Sequence, residues 1–200
     1  LIHRQVYLIS DMGVSQYCEA PITHILLSYN EIDELPTNAL PTPHLHSLHL
    51  DHNSLSRVDD YAFRSLSDLE ELDLSFNKLV ALPKTSFLNL YQLRSLNLAN
   101  NSISSLPPAL FTSLEHLQAL NISNNQLKFS NSNPEPFIGL IRLVVLDLSY
   151  NEITVLGDRV FNHLYTLQAL FISHNSISYL SDGVFATLTN LYTLDLSHNS

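Results

Sequence analysis

The sequence predicts an α/β solenoid: a curved horseshoe of stacked coils, with a parallel β-sheet on the concave side and an irregular or short-helical convex side. Three observations carry that prediction. An asparagine recurs at Asn30, Asn53, Asn77, Asn101, Asn125, Asn151, Asn175 and Asn199, with spacings of 23, 24, 24, 24, 26, 24 and 24. Before each one, leucine-type residues alternate with polar ones. After each one come two further leucine-type positions, and in most coils a phenylalanine with a leucine three residues behind it. Self-similarity at a period of 20–50 residues is the signature of a repeat architecture.

Each position of the repeat has a physical reason. In LEELDLSFNKLVALPKTSFLNL, from Leu69 to Leu90, Leu72 and Leu74 alternate with period two, which predicts a short strand with one buried face. The chain must then turn, and Asn77 stands at that turn. An asparagine amide has donors and an acceptor for backbone groups of its own and adjacent coils, which would otherwise be buried unpaired. Leu79 and Leu82 follow and fill the core from the far side. Pro83, with its counterparts Pro36 and Pro107, fixes an extended backbone where no donor is needed. The column Phe63, Phe87, Phe111, Phe137, Phe161 and Phe185 marks one irregular or helical turn on the outer side. A single coil cannot bury both faces, so stability comes from stacking on neighbours. Eight strands at ~4.8 Å give an inner arc of roughly 34 Å, and bulkier outer segments bend the stack.

The frame L-x-x-L-x-L-x-x-N-x-L-x-x-L, followed by Phe and Leu, resembles the leucine-rich repeat family, in its 24-residue type with outer Phe. The resemblance implies repeats over residues 22–200, about eight in number with the last truncated. Residues 1–21 resemble a degenerate N-terminal cap or partial repeat. Family caps carry several cysteines, whereas here Ile9 stands where one is expected and only Cys18 remains. In animals this repeat type resembles the ectodomains of Toll-type receptors, neuronal adhesion proteins and secreted immune proteins.

Two coils depart from the frame. The coil after Asn30 is one residue short, with Pro41 and Pro43 expected at the outer Phe and Leu positions. The coil after Asn125 has two extra residues within KFSNSNPEPF, where Asn131, Asn133, Pro134 and Pro136 predict a turn pushed outward.

Composition narrows the function. With 9 Lys+Arg against 19 Asp+Glu, the net charge of -10 argues against nucleic acid or anionic lipid as partner. No stretch approaches the ~20 apolar residues of a membrane span, so a membrane link is expected only through a segment outside this one. The missing initiator Met and the stop one residue after Asn199 suggest a piece of a longer protein. A lone cysteine leaves the redox compartment open between cytosolic and secreted.

The residues six, four and two before each motif Asn are expected to face the concave side. The middle column is Leu26, His49, Asp73, Asn97, Asn121, Asp147, Phe171 and Asp195. Glu71 lies in the column before it and Asp51 in the column after. None of the three columns holds Lys or Arg. His49, Asp51, Glu71, Asp73, Asn97, Asp147, Phe171 and Asp195 are therefore the candidate partner-binding residues. A rim column runs beside the motif Asn: Tyr29, His52, Phe76, Asn100, Asn124, Tyr150, His174 and His198. Its rings are interface anchors or fold back over the loop.

Chemistry beyond binding finds no support. His44, His46, His49 and His52 form a histidine-rich edge, but a metal site needs three or four ligands converging on one point. Strand alternation leaves only His49 and Asp51 on one face, with His24 diagonally beside them, so a solvated edge and no metal is expected. No phosphate-cradling glycine loop or nucleophile elbow occurs, and carboxylates on an open sheet stay ordinary. No catalytic residue and no cofactor is expected. Sequons at Asn100 and Asn121 are candidate glycosylation sites. The expectation is a protein-binding module of a receptor ectodomain, of the Toll-type innate immune kind, or of a cell-adhesion protein. It would be extracellular or at the cell surface, with a protein ligand or co-receptor as partner. The alternative is an intracellular, cytoplasmic scaffold or regulatory subunit.

Overall fold

The computed structural model describes residues 21–129 and 133–200. The expected cap before Pro21, together with Cys18, lies outside the described residues, as does Asn131.

Alternation writes the strands. Twelve short strands occur among the described residues: β1 (His24–Leu26), β2 (Glu34–Leu35), β3 (Ser47–His49), β4 (Arg57–Val58), β5 (Glu71–Asp73), β6 (Ser95–Asn97), β7 (Ala119–Asn121), β8 (Val145–Asp147), β9 (Val155–Leu156), β10 (Ala169–Phe171), β11 (Tyr179–Leu180) and β12 (Thr193–Asp195). Eight of them form one parallel sheet in the order β1-β3-β5-β6-β7-β8-β10-β12. Its register is uninterrupted, running Ile25, Leu48, Leu72, Leu96, Leu120, Leu146, Leu170 and Leu194 across the strands. All of them but the half-exposed Leu194 of the last strand are buried in the core, and they pin the register, because a one-residue slip would expose the row. Two small parallel pairs, β2 with β4 and β9 with β11, form on the return side.

The outer segments take the irregular form of the two that the sequence allows, with no helix among the described residues. The Phe-to-Leu spacing of three is an i→i+3 turn: Leu90 N donates to Phe87 O at 3.3 Å and Leu114 N to Phe111 O at 2.9 Å. The phenylalanines stack as one internal column, with Phe87, Phe111, Phe137, Phe161 and Phe185 at centroid spacings of 6.0–6.4 Å and nearly parallel planes. In the short coil the expected placement needs correction. Leu40, not Pro41, occupies the buried Phe position, while Pro41 and Pro43 are exposed. Counting ten residues on from the motif Asn, as for Asn53 to Phe63, leads to Leu40. In the long coil the described flanks are anchored. Phe129 packs edge-on against Phe137 at 5.8 Å, and Asn133 Nδ2 donates to Leu106 O at 3.0 Å. Gly139 sits here at φ +100°, where a Cβ would lie 2.6 Å from Thr112 Cα of the preceding coil.

The asparagine ladder joins coil to coil. Asn101 Nδ2 donates to Leu98 O, Ala99 O and, in the preceding coil, Leu74 O, at 3.0–3.2 Å. Its Oδ1 accepts from Leu79 N of that coil at 2.9 Å. The same contacts recur at Asn53, Asn77, Asn125, Asn151, Asn175 and Asn199. Asn30 makes the contacts within its own coil, to Leu27 O and Ser28 O.

Replacing Asn101 with Ala strands several of these groups and is expected to destabilise the fold by about 1–3 kcal/mol. Asn97, which is half-buried and bonds only Asp73 Oδ2 and Ala99 N, should cost about 0.5 kcal/mol on the same change. Equal urea midpoints for the two alanine variants would contradict this assignment of the ladder.

Candidate functional site

The middle column forms one continuous row. Leu26, His49, Asp73, Asn97, Asn121, Asp147, Phe171 and Asp195 are successive register partners across the eight strands. Glu71 stands in the neighbouring row between Ser47 and Ser95. Seven of the eight candidate binding residues therefore lie on or beside one sheet face, and Asp51 follows where the chain turns away from it. Leu26 heads the row at 72% exposure. At its centre lies a shallow depression of about 300 Å³ lined by Asn97, Asn121, Val145, Asp147 and Phe171 among others.

The third column departs from expectation. Ser75, Ala99, Ser123, Ser149 and Ser173 are buried and not displayed to the concave side. The chain is already turning toward the motif Asn there, so these side chains tuck beneath the rim and must be small. Asp51 is the one carboxylate in this column. It is accommodated by partners: Ser28 Oγ donates to Oδ1 at 2.5 Å, and His52 Nδ1 lies 2.9 Å from Oδ2. Burial raises the Asp51 carboxyl, but the hydrogen bonds with Ser28 and His52 outweigh it and hold the group below the ordinary value of 3.8. Asp195 is likewise lowered, by hydrogen bonds from the Ser197 side chain and backbone.

The rim has its own geometry. All eight residues preceding the motif asparagines adopt left-handed backbone, with φ between 52° and 58°. This turns their side chains outward in a common direction. The rings neither scatter nor fold back over the loop. Tyr29, His52 and Phe76 stack at 4.2 Å spacings, and Tyr150, His174 and His198 at 4.1 and 4.0 Å. Asn100 and Asn124 separate the two stacks. The outer members are open to solvent, Tyr29 at 75%, Tyr150 at 50% and Phe76 at 48%. Period alone could have shown the stacking, since the rim residues recur in register with the strands.

In the histidine-rich edge, His24 pairs with Ser47, which sets it diagonally beside His49 as its spacing predicts. The residue facing His49 on the next strand is Asp73, and His49, Asp51 and Asp73 offer ligand atoms within 4.8 Å of one another. His44 leaves the cluster for Asp68, at 3.1 Å. The sequon residues take different positions. Asn100 stands on the rim, whereas Asn121 stands on the concave floor with its Oδ1 accepting from Ser123 N at 2.9 Å. The ion pairs of the cationic side chains, Arg57 with Asp59, Arg94 with Glu70 and Lys128 with Glu152, all lie off the three inner columns.

Comparison with known proteins agrees with this geometry. The family model described as Leucine rich repeat matches residues 43–103, 69–127, 91–144 and 141–200. Among solved structures, a chain from the crystal structure of the TLR13–ssRNA13 complex matches at 34% identity and a TM-score of 0.83, covering 90% of this chain and 26% of that one. A leucine-rich repeat protein of Leptospira interrogans matches at 27% identity and a TM-score of 0.75, covering 89% of this chain and 43% of that one. The chain thus spans about a quarter to under half the length of these relatives. No curated protein sequence matches it significantly.

Because the folded Asp51 carboxyl titrates below its ordinary value, its contribution to stability is full above pH 3.8 and is lost as the pH falls through the lowered value. Wild type is therefore expected to exceed Asp51→Asn in stability near neutral pH, with the gap closing in acid. Urea midpoints measured against pH would test this, and a gap that persists unchanged into strong acid would show that the carboxylate is not held as described.

Proposed function

This chain belongs to the leucine-rich repeat family, and we propose that it is a protein-recognition module in the ectodomain of a Toll-type receptor or a related cell-surface protein. The observation that carries the reading is the pairing of an open, cation-free concave face with two aromatic stacks along its rim. A sheet that presents a flat row of polar side chains suits a protein surface better than a small substrate, which needs enclosure. Exposed rings beside it supply the anchors around which interface energy concentrates. Binding is proposed as the role, with no catalytic one.

The receptor assignment is supported by the similarity to the TLR13 chain and by the two sequons. That relative's structure is a complex with single-stranded RNA. A polyanion gains affinity by releasing counterions to Lys and Arg. Here the three inner columns hold neither, and they carry Asp51, Glu71, Asp73, Asp147 and Asp195. The proposed partner is accordingly a protein bearing a basic patch. Asp51, Glu71 and Asp73 lie closer together than the ~8 Å screening length, so their potentials add and speed encounter.

A triple change of Asp51, Glu71 and Asp73 to Asn, Gln and Asn keeps size while removing charge. Association of a synthetic Arg- and Tyr-containing peptide is expected to slow several-fold and to lose its salt dependence. The outer-side control, Glu115→Gln with Asp158→Asn, should change neither. A 13-nucleotide single-stranded RNA should not bind. RNA binding strengthened by the triple change, or equal slowing in the control, would refute the concave protein site.

Secretion behind a supplied signal peptide should add glycan at Asn100, Asn121 or both. Intact mass showing both sites empty would favour the alternative of an intracellular scaffold.

A further inference from the structure

We propose that His49, Asp51 and Asp73 form a zinc-type divalent-cation site on the N-terminal part of the concave face. The three residues converge because of the register and not by chance of rotamer. Leu48 and Leu72 are buried partners on β3 and β5, which sets His49 directly opposite Asp73. Asp51 follows His49 by two residues where the chain turns toward the rim, and its Oδ1 lies 3.9 Å from His49 Nδ1. The backbone that presents the donors is therefore fixed by the core.

Distances fit an ion after small side-chain adjustment. The three donor atoms lie within 4.8 Å of one another. A tetrahedral ion with bonds of about 2.0–2.2 Å wants donors about 3.3–3.6 Å apart. Closing that difference takes side-chain shifts on the order of 1 Å. His49 now sits between carboxylates at distances longer than a hydrogen bond, with Nδ1 3.9 Å from Asp51 Oδ1 and Nε2 3.6 Å from Glu71 Oε2. An ion among these donors replaces mutual repulsion of the acids with attraction.

The surrounding bonds are those that orient metal ligands. Ser28 and His52 hold Asp51, while Ser75 N and Asn97 Nδ2 hold Asp73 at 2.8 and 3.0 Å. Each carboxylate oxygen keeps a second lone pair for the ion. Supports of this kind set ligand orientation and basicity. One imidazole with carboxylates selects zinc over calcium and magnesium, which take oxygen shells. With three protein donors the fourth position is open toward the concave side, for water or for Glu71.

The test uses the full 200-residue chain in chelator-treated buffer. Zinc is titrated in competition with a chromogenic indicator, and cobalt is used as a spectroscopic substitute. One zinc per chain should bind, with calcium failing to compete, and cobalt should give the intense visible bands of four-coordination. His49→Gln and Asp73→Asn should each weaken zinc at least about tenfold, since loss of a ligand costs no less than loss of an outer-shell partner. His174→Gln on the rim and Asp195→Asn at the other end of the concave face should leave zinc binding unchanged. His49→Cys should retain zinc and add a sulfur-to-cobalt charge-transfer band. Circular dichroism confirms that each variant is folded. Absence of saturable zinc binding by wild type, zinc binding that survives both His49→Gln and Asp73→Asn, or a weak six-coordinate cobalt spectrum would overturn the proposal.

Discussion

Every turn of the solenoid buries backbone groups that no strand can pair, and the rest of the structure depends on how they are satisfied. One asparagine per coil does it, donating to two carbonyls of its own turn and one of the coil before, and accepting from a fourth backbone group. The bond set is indifferent to what the neighbouring side chains are. It therefore fixes the coil spacing and leaves the inner face and the rim free to vary. Apolar stacking of leucine and phenylalanine columns supplies the driving force, since burial favours compaction in any register. The ladder and the leucine row supply the single register.

The rim follows from that same constraint. To bring the motif Asn under its own strand, the preceding residue must adopt left-handed φ. Asparagine tolerates this region, as at Asn100 and Asn124, whereas bulky side chains in it are uncommon and strained by about 1–3 kcal/mol. Six of the eight positions nevertheless hold Tyr, His or Phe. Stacking between rings offsets part of the cost, at about 0.5–1.5 kcal/mol per pair. It cannot explain the choice, because Asn would avoid the strain altogether. Outward rings at a strained position fit the interaction surface proposed above.

Much of this was legible in the amino-acid order, for a physical reason. Where a position is set by period and burial, as with Leu72, Asn101 or Phe111, the repeat itself states its environment. The sequence was less informative where neighbours in space decide. Ser75 and Ser149 sit on alternating strand positions and read as displayed, yet the turn buries them. In the short coil Pro41 and Pro43 suggest the wrong residue for the outer position, whereas ten residues on from Asn30 is the buried Leu40. The middle column sets Asp73 beside His49, as the register has it, but the approach of Asp51 to that pair depends on side-chain placement at the turn, which period does not state.

The inner face is not uniform, and its gradient has consequences for how a partner can lie on it. Carboxylates and histidines crowd β3 and β5, while β6 and β7 carry Asn97 and Asn121 over a shallow depression floored by Ala119. Beyond it, Asp147, Phe171 and Asp195 restore charge and an aromatic ring. The rim repeats the division, with ring stacks at both ends and amides at Asn100 and Asn124 between them. Both sequons fall within the neutral middle. A glycan on Asn121 would stand in the depression and one on Asn100 above it, and either would exclude a partner from the centre while leaving both ends open. A long basic segment could then bridge the ends only by arching over the middle, which loses the short central contacts. Two separate contacts, one against each aromatic stack, avoid that loss. A molecule that touches both ends gains the advantage of linkage, with the curved sheet fixing the distance between them.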